Sequence, residues 1–512
     1  LGLHNLIMFY DSNDIQLSTE TKAVTTEDTA MKYKAWGWNV IEIDGHNAQQ
    51  IRDALKKANN EKEKPTIIIG KTIMGKGVVK ADGTSYERQC STHGMPLSEA
   101  GASFEKTIEN LGGDPSNPFV IFPEVKDYYQ NKRQEKIAEA AKRKSIQKDW
   151  EGKNPELAKK LNMFLSGELP QLNYEEIIQK ENIATRAASA AVLAYFAQKV
   201  ENMIVASADL ANSDKTDGFL KNTKPLTKDD FSGAFLHAGV SELTMAAICN
   251  GIALHGGVWV ACGTFFVFSD YMKPAVRMAA LQELPVKYIW THDAFRVGED
   301  GPTHQPVEHE AQIRLLEQLK NHSGQNSIMV LRPADAYETS VAWKMAMENK
   351  HTPTALILSR QNIKDIPAPS NTTRYQHALN AYKGAYVVYE TSNNADVVLV
   401  GSGSEVSTLI GGAEKLKSEK GINARVVSVI SEGLFKNQPV SYQKQVIPDN
   451  KPIFGLTAGL PSTLAGLVGP KGRIWGLDHF GYSAPAKVLD EKFGFTPDNV
   501  FDQVVEYLNE YK

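Results

Sequence analysis

The sequence predicts an α/β protein of three domains with mainly parallel sheets. Its 512 residues suffice for three cores at ~150 residues per domain. Short apolar runs alternate with segments of helical period, the pattern of βαβ units. A stretch rich in Lys, Arg, Glu, Gln and Ala separates the first block of such units from the second, as a solvated connector would.

The first block runs through Leu6 to Tyr10, Ile41 to Ile43, the helical stripe Ile51, Leu55, Ala58, and Thr66 to Ile69. These assign residues 1–125 to a first domain. In "KRQEKIAEAAKRKSIQKDW" the cations are interleaved with Glu and Asp, which favours a connecting helix over a nucleic-acid patch. Residues 126–172 are therefore read as a helical linker. A second domain, 173–370, carries a helix around residues 183–199. Its strands are expected at Met203 to Ala206, Val258 to Ala261, Val286 to Trp290, Ile328 to Leu331 and Ala355 to Leu358. The third, 380–512, contains "ADVVLVGSGSEVSTLIGGAEKLKSEKGINARVVSVIS", which reads as strand, turn, helix, strand. No short repeat is present, which argues against a solenoid.

A net charge of −4 gives no global attraction to nucleic acid or anionic lipid, so an anionic ligand must be met by local cations. No stretch approaches the ~20 apolar residues of a membrane span. Cys90, Cys249 and Cys262 are scattered and lack CxxC spacing, so neither a disulfide framework nor a zinc site is indicated, and a reducing cytoplasm fits best.

Two glycine motifs are decoys. "GKTIMGKG" from Gly70 has the phosphate-cradle spacing, but Gly77 stands where the magnesium-binding hydroxyl belongs. "GSGSEV" from Gly401 follows a strand and opens a helix, yet Val406 replaces the third small residue of a dinucleotide fingerprint; a tight turn with Ser404 capping the helix is expected instead.

Other stretches concentrate chemistry. "MFYDSNDI" sets Asp11, Ser12, Asn13 and Asp14 at the C-terminal end of a strand, the edge where parallel sheets bind ligands, and its oxygens suit a hard cation. "CSTHGMPL" carries His93, "ATR" carries Arg186, "SADLANSDKT" carries Asp209 and Ser213, "GVSELTM" leads into Glu242, and "GTFFVFSDY" supplies Phe265, Phe268 and Tyr271. "THDAFRVGEDGPTHQP" packs two histidines, three acids and an arginine behind an apolar run. Taken singly, each is as readily a cap, a core aromatic or a solvated loop.

Their joint order resembles the transketolases over nearly the whole chain. The agreement is densest in "THDAFRVGEDGPTHQP", "RPAD", "LSRQN" and "FGFTPDNV". The resemblance implies a thiamine-diphosphate-binding fold, a transketolase C-terminal-like domain, and transfer of two-carbon ketol units between sugar phosphates. It further implies thiamine diphosphate and Mg2+ or Ca2+ as cofactors, and a homodimer whose active sites lie at the subunit interface.

Carried over residue by residue, the resemblance assigns Glu242 to the cofactor's pyrimidine N1′, where a carboxyl promotes the imino tautomer. Phe265, Phe268 and Tyr271 match the aromatic pocket, and Asp209 a further cofactor contact. His93 matches a histidine near the diphosphate with a proton-transfer role, and His304 one near the donor's reacting end. His292, Asp300 and His304 match the substrate channel; Arg186, Ser213 and Arg360 match further phosphate contacts. Asn13 and the Ile15 carbonyl match two metal ligands. The family's third metal ligand and further histidines lie upstream of this strand, so the first domain is expected to be incomplete. Where many relatives read Gly-Ile-Arg-Glu-His, this chain has Gly239, Val240, Ser241, Glu242 and Leu243. A catalytically inactive, transketolase-like binding or scaffold protein is the alternative reading.

Overall fold

The computed structural model describes residues 2–511. The chain forms two compact units, Leu1–Lys153 and Asn154–Lys512.

The first unit is built on a three-stranded parallel sheet of β1 (Ile7–Ser12), β2 (Asn39–Asp44) and β3 (Thr66–Lys71), in the order β1-β3-β2. The central strand is the continuous apolar run, as a strand with neighbours on both sides requires. The helix Ala48–Asn60 lays Ala54 and Ala58 against Ile68. Its start is fixed by Asn47, whose Oδ1 accepts from the backbone N–H groups of Gln49 and Gln50 at 3.0 and 3.1 Å.

The polar connector is a helix over Pro123–Lys153 that buries none of its residues. Pairs three or four apart, such as Lys132–Glu135 and Lys136–Glu139, support it at a few tenths of a kcal/mol each.

The second unit holds two sheets. One comprises β4 (Met203–Ser207), β5 (Phe235–His237), β6 (Trp259–Phe265), β7 (Lys287–Thr291), β8 (Met329–Leu331) and β9 (Thr354–Leu358), all parallel, in the order β5-β4-β6-β7-β9-β8. Strands β6, β7 and β9 are buried along their full length. Alternate residues serve different cores: Ala261 and Ile289 join one apolar cluster, Cys262, Tyr288 and Trp290 the other.

The other sheet comprises β10 (Ala385–Glu390), β11 (Val397–Gly401), β12 (Ala424–Val429), β13 (Ile453–Leu456) and β14 (Arg473–Trp475), in the order β10-β12-β11-β13-β14. It is parallel except for β10, which pairs antiparallel to β12. One apolar cluster, from Tyr174 to Val504, runs through both sheets' packing helices.

The mainly parallel α/β architecture expected from the sequence is what forms. Four strands were not expected: β10, six residues long, and three short ones. β5, β13 and β14 have only three or four residues, too few for a period to register. One expected cap is absent: the Ser404 hydroxyl accepts from no backbone N–H of the helix Glu405–Lys420 and instead donates to the Glu405 carboxylate, at Oε1, 2.8 Å away.

Candidate active site

The candidate residues of the second unit gather at the C-terminal ends of its parallel strands. The start of the helix Thr185–Lys199 is stitched to the residue after β9. Ser359 N donates to Thr185 Oγ1 at 2.7 Å, and Thr185 N donates to Ser359 Oγ at 3.0 Å. This stitch brings the neighbours of those two residues, Arg186 and Arg360, close enough for their charges to interact. Burial first, and Arg360 second, lower the Arg186 pKa to about 10.

Arg186 Nη1 donates to the Ser213 carbonyl at 2.7 Å and to His292 Nε2 at 3.1 Å. Arginine only donates, so Nε2 is the acceptor and the imidazole proton sits on Nδ1, 2.8 Å from Thr291 Oγ1. Burial, then Arg186 and Arg360, hold His292 far below its ordinary pKa, so the ring is neutral at physiological pH. His292 follows strand β7 directly, with φ +62°, a left-handed conformation that residues other than Gly rarely adopt.

The same ring lies against the aromatic residues that close β6. The Phe265 and His292 centroids are 3.7 Å apart, and Phe265 stacks on Phe268 at 5.7 Å. His304 sits edge-on to Phe268 at 5.4 Å, and Tyr271 lies 6.1 Å beyond Phe268 with its ring largely exposed. Gly298 (φ +89°) and Gly301 (φ +77°) bend the loop back between His292 and His304. Asp300, in that bend, faces solvent.

Glu242 is the first residue of the helix Glu242–His255 and is 9% exposed. Its carboxylate accepts no hydrogen bond from another described residue. The preceding turn is tied by Ser241 Oγ, which donates to the Ala238 carbonyl at 2.8 Å, while Val240 and Leu243 project to solvent. Asp209 follows β4 at φ +65° and is exposed.

In the first unit, Asn13 Oδ1 accepts from Ile15 N at 3.0 Å just beyond β1. Asp14 is engaged by Lys71 and Arg88, and Asp11 by Thr72. The Ile15 carbonyl and the second lone pair of Asn13 Oδ1 take no hydrogen bond from another described residue, and oxygens of this kind suit a hard cation completed by phosphate and water. His93 is exposed after the short turn Cys90–Thr92.

Sequence reasoning missed a buried ionic cluster beneath the His292 loop, formed by Asp293, Arg296, Glu310, Arg332 and Glu405. Charge alone gave no signal, because these residues span 113 positions and read individually as surface groups. It also missed Asp270, Glu308 and His309, whose ligating atoms lie within 4.8 Å of one another.

Family models match the three blocks in order. Residues 1–170 match the transketolase thiamine diphosphate binding domain, 181–365 the transketolase pyrimidine binding domain, and 384–496 the transketolase-like C-terminal domain. The chain is 38% identical over 521 residues to a Bacillus subtilis transketolase, covering 99% of this chain and 74% of that one. A Geobacillus stearothermophilus transketolase is 38% identical over 507 residues, covering 98% and 72%. Among solved structures, transketolase from Leishmania mexicana superposes with a TM-score of 0.90 at 32% identity, covering 100% of this chain and 72% of that chain. The Pichia stipitis transketolase complex with sedoheptulose-7-phosphate gives 0.89 at 32% identity, covering 100% and 73%. Together with the parallel fold and the residues assembled at its strand ends, these matches show that the chain belongs to the transketolase family.

Proposed function

We propose that the protein reversibly transfers a two-carbon ketol unit from a ketose phosphate to an aldose phosphate, with thiamine diphosphate and Mg2+ or Ca2+ as cofactors. The observation that carries this reading is the continuous chain of contacts Arg186–His292–Phe265–Phe268, with His304 against the last ring. It joins a cationic subsite to an aromatic one within one loop system, as a site for a phosphorylated substrate on an aromatic-bound cofactor needs.

The protein's residues fit the cofactor. Stacked rings offer walls for a flat heterocycle, and the buried, unpartnered carboxylate of Glu242 offers it a proton acceptor or donor. When bound, thiamine diphosphate supplies the electron sink for carbanion chemistry. Glu242 then holds or releases a proton at its carboxyl oxygen, and Phe265, Phe268 and Tyr271 enclose the ring. Asp209 adds a polar cofactor contact. Asn13 and the Ile15 carbonyl hold the metal, and His93 moves a proton near the diphosphate.

Arg186, Arg360 and Ser213 bind the substrate phosphate, where guanidinium forks suit two-point contacts. His292 sits at that phosphate end. Asp300 accepts a sugar hydroxyl, and His304 exchanges a proton at the donor's reacting end. The domains are 1–125, 173–370 and 380–512, joined by the helical linker 126–172. We place the enzyme in the cytoplasm, in the pentose phosphate pathway, as a homodimer with active sites at the subunit interface. No helix of the described residues is long and apolar enough to cross a membrane.

The test is turnover of xylulose 5-phosphate with ribose 5-phosphate after loading with thiamine diphosphate and Mg2+. Two-carbon transfer is expected. Saturable cofactor binding without transfer would favour the scaffold alternative and overturn the reading.

A further inference from the structure

The turn "GSGSE" does bind something, although not a dinucleotide: it binds arginine. Gly403 N donates to the Arg332 carbonyl at 3.2 Å, and Arg332 Nη1 donates to the Ser402 carbonyl at 3.2 Å. Gly403 stands at φ +59°, and a Cβ there would lie 2.8 Å from the Arg332 guanidinium. The glycine is thus required by a guanidinium where a nucleotide fold would require it for a pyrophosphate.

Glu405, fully buried at the head of the following helix, joins two arginines. Its Oε2 accepts from Arg332 Nη1, and its Oε1 accepts from Arg296 Nη1 at 2.9 Å. Arg332 reaches with Nη2 to Asp293 Oδ2 at 2.8 Å, directly after His292. Arg296 lies in the His292 loop itself, and its Nε donates to Asp490 Oδ1 at 2.6 Å. Glu405 therefore grips the loop at residues 293 and 296. The same C-terminal sheet region also holds the rest of the loop: Ser483 Oγ donates to the Glu299 carbonyl at 2.6 Å, and Gln305 Nε2 to the Tyr482 carbonyl at 2.9 Å.

This grip accounts for the strained backbone of His292. A left-handed conformation at a residue other than Gly persists where its surroundings over-determine it. The ion pairs on Asp293 and Arg296 are the over-determining contacts on its C-terminal side.

We infer that Glu405 is a positioning residue for the substrate channel: by holding Arg296 and Arg332 in one buried cluster it fixes the loop from Asp293 to Val297, and with it the aim of His292 and Arg186. The inference rests on the reading of that loop as the sugar-phosphate site. It gives the C-terminal domain a role in substrate alignment, where misplacements of about 1 Å matter.

The experiment compares wild type, Glu405→Gln, Arg296→Met and the double variant as holoenzymes. Calorimetry measures the dissociation constant of ribose 5-phosphate on each holoenzyme, and that of thiamine diphosphate with Mg2+ on the same proteins before loading. Glu405→Gln is expected to weaken ribose 5-phosphate binding at least tenfold and to change thiamine diphosphate binding less than twofold. Arg296→Met should do the same, and the double variant should bind no worse than the weaker single one. Folded variants that bind ribose 5-phosphate as the wild type does, with only a lowered melting temperature, would reduce Glu405 to a structural residue and overturn the inference. If Glu405→Gln does not fold, Arg296→Met alone decides by the same criterion. A wild type that binds no sugar phosphate would overturn the functional reading itself.

Discussion

Arg186 donates through Nη1 to His292 Nε2 at 3.1 Å, and this one bond decides which imidazole nitrogen carries the proton. The ring is consequently an acceptor that holds the arginine, and its own proton is spent on Thr291. His292→Gln keeps an acceptor within reach of Arg186, whereas His292→Leu removes it; both carry the same backbone cost at φ +62°. Losing a hydrogen bond to a charged group costs about 1.5–3 kcal/mol. His292→Leu should therefore raise KM for sugar phosphates by roughly ten- to a hundredfold, and His292→Gln by clearly less. Steady-state kinetics with ribose 5-phosphate check this, and equal losses in the two variants would refute the acceptor role.

Arg360 follows Ser359, whose bonds to Thr185 set it beside Arg186. Two guanidinium groups held together repel each other until an anion arrives. Arg360→Ala should raise KM for phosphorylated acceptors by roughly ten- to a hundredfold, at about 1.5–3 kcal/mol for a charge-assisted bond. The KM of glycolaldehyde, which carries no phosphate, should change little. A matching loss with glycolaldehyde would remove Arg360 from the phosphate subsite.

The parts of this protein legible in its sequence are those written locally. The run Val286 to Trp290 announces β7 because a strand buried on both faces is apolar at nearly every step; Lys287, fully buried and donating to the Pro285 and Asn349 carbonyls, is the exception. The glycines of the His292 loop announce a sharp bend. The residues Arg186, His292 and Phe265 were identified by the order of their motifs, not by any local signal of contact, since 106 positions separate the arginine from the imidazole. What stayed hidden depends on pairing across the fold. Glu405 reads as an ordinary helix-start acid, favourable beside the N-terminal dipole; only the folded chain brings Arg296 and Arg332 to it. Ser404 was misread for the same reason, because its hydroxyl prefers the Glu405 carboxylate to the helix N–H groups.

Asp214 gives a pH test of the site's frame. Its Oδ2 accepts from Ser207 Oγ at 2.7 Å and its Oδ1 from Thr216 N at 2.9 Å. Burial raises its pKa from 3.8 to about 6, against those bonds. A carboxyl with a raised folded pKa binds more protons folded than unfolded, so its contribution is complete below about pH 4 and is lost as pH rises through 6. At about 1.4 kcal/mol per pKa unit the loss is about 3 kcal/mol. Asp214→Asn should remove this dependence. Urea unfolding of both proteins at pH 4.5 and 7.5 checks it: the stability of wild type relative to Asp214→Asn should fall with rising pH, and a flat or rising difference would contradict the assignment.

In the proposed reaction Glu242 exchanges a proton; the residue is 9% exposed, heads a helix, and takes no hydrogen bond from another described residue. A carboxylate with a purely structural role would hold a partner in the fold, and Glu242 holds none among the described residues. Its isolation makes sense when a bound heterocycle completes its bonding. Glu242→Gln preserves size and can still hydrogen-bond a ring nitrogen, but it neither takes up nor releases a proton. Thiamine diphosphate affinity should then fall at most tenfold, while kcat falls by roughly 10²–10⁴, the usual worth of a positioned acid or base. Because Glu242 makes no bond to another described residue, the melting temperature should also stay unchanged. The three readouts separate the roles: lost affinity with kcat retained at saturation would make Glu242 a binding group alone. A lowered melting temperature with normal kinetics would make it a structural one.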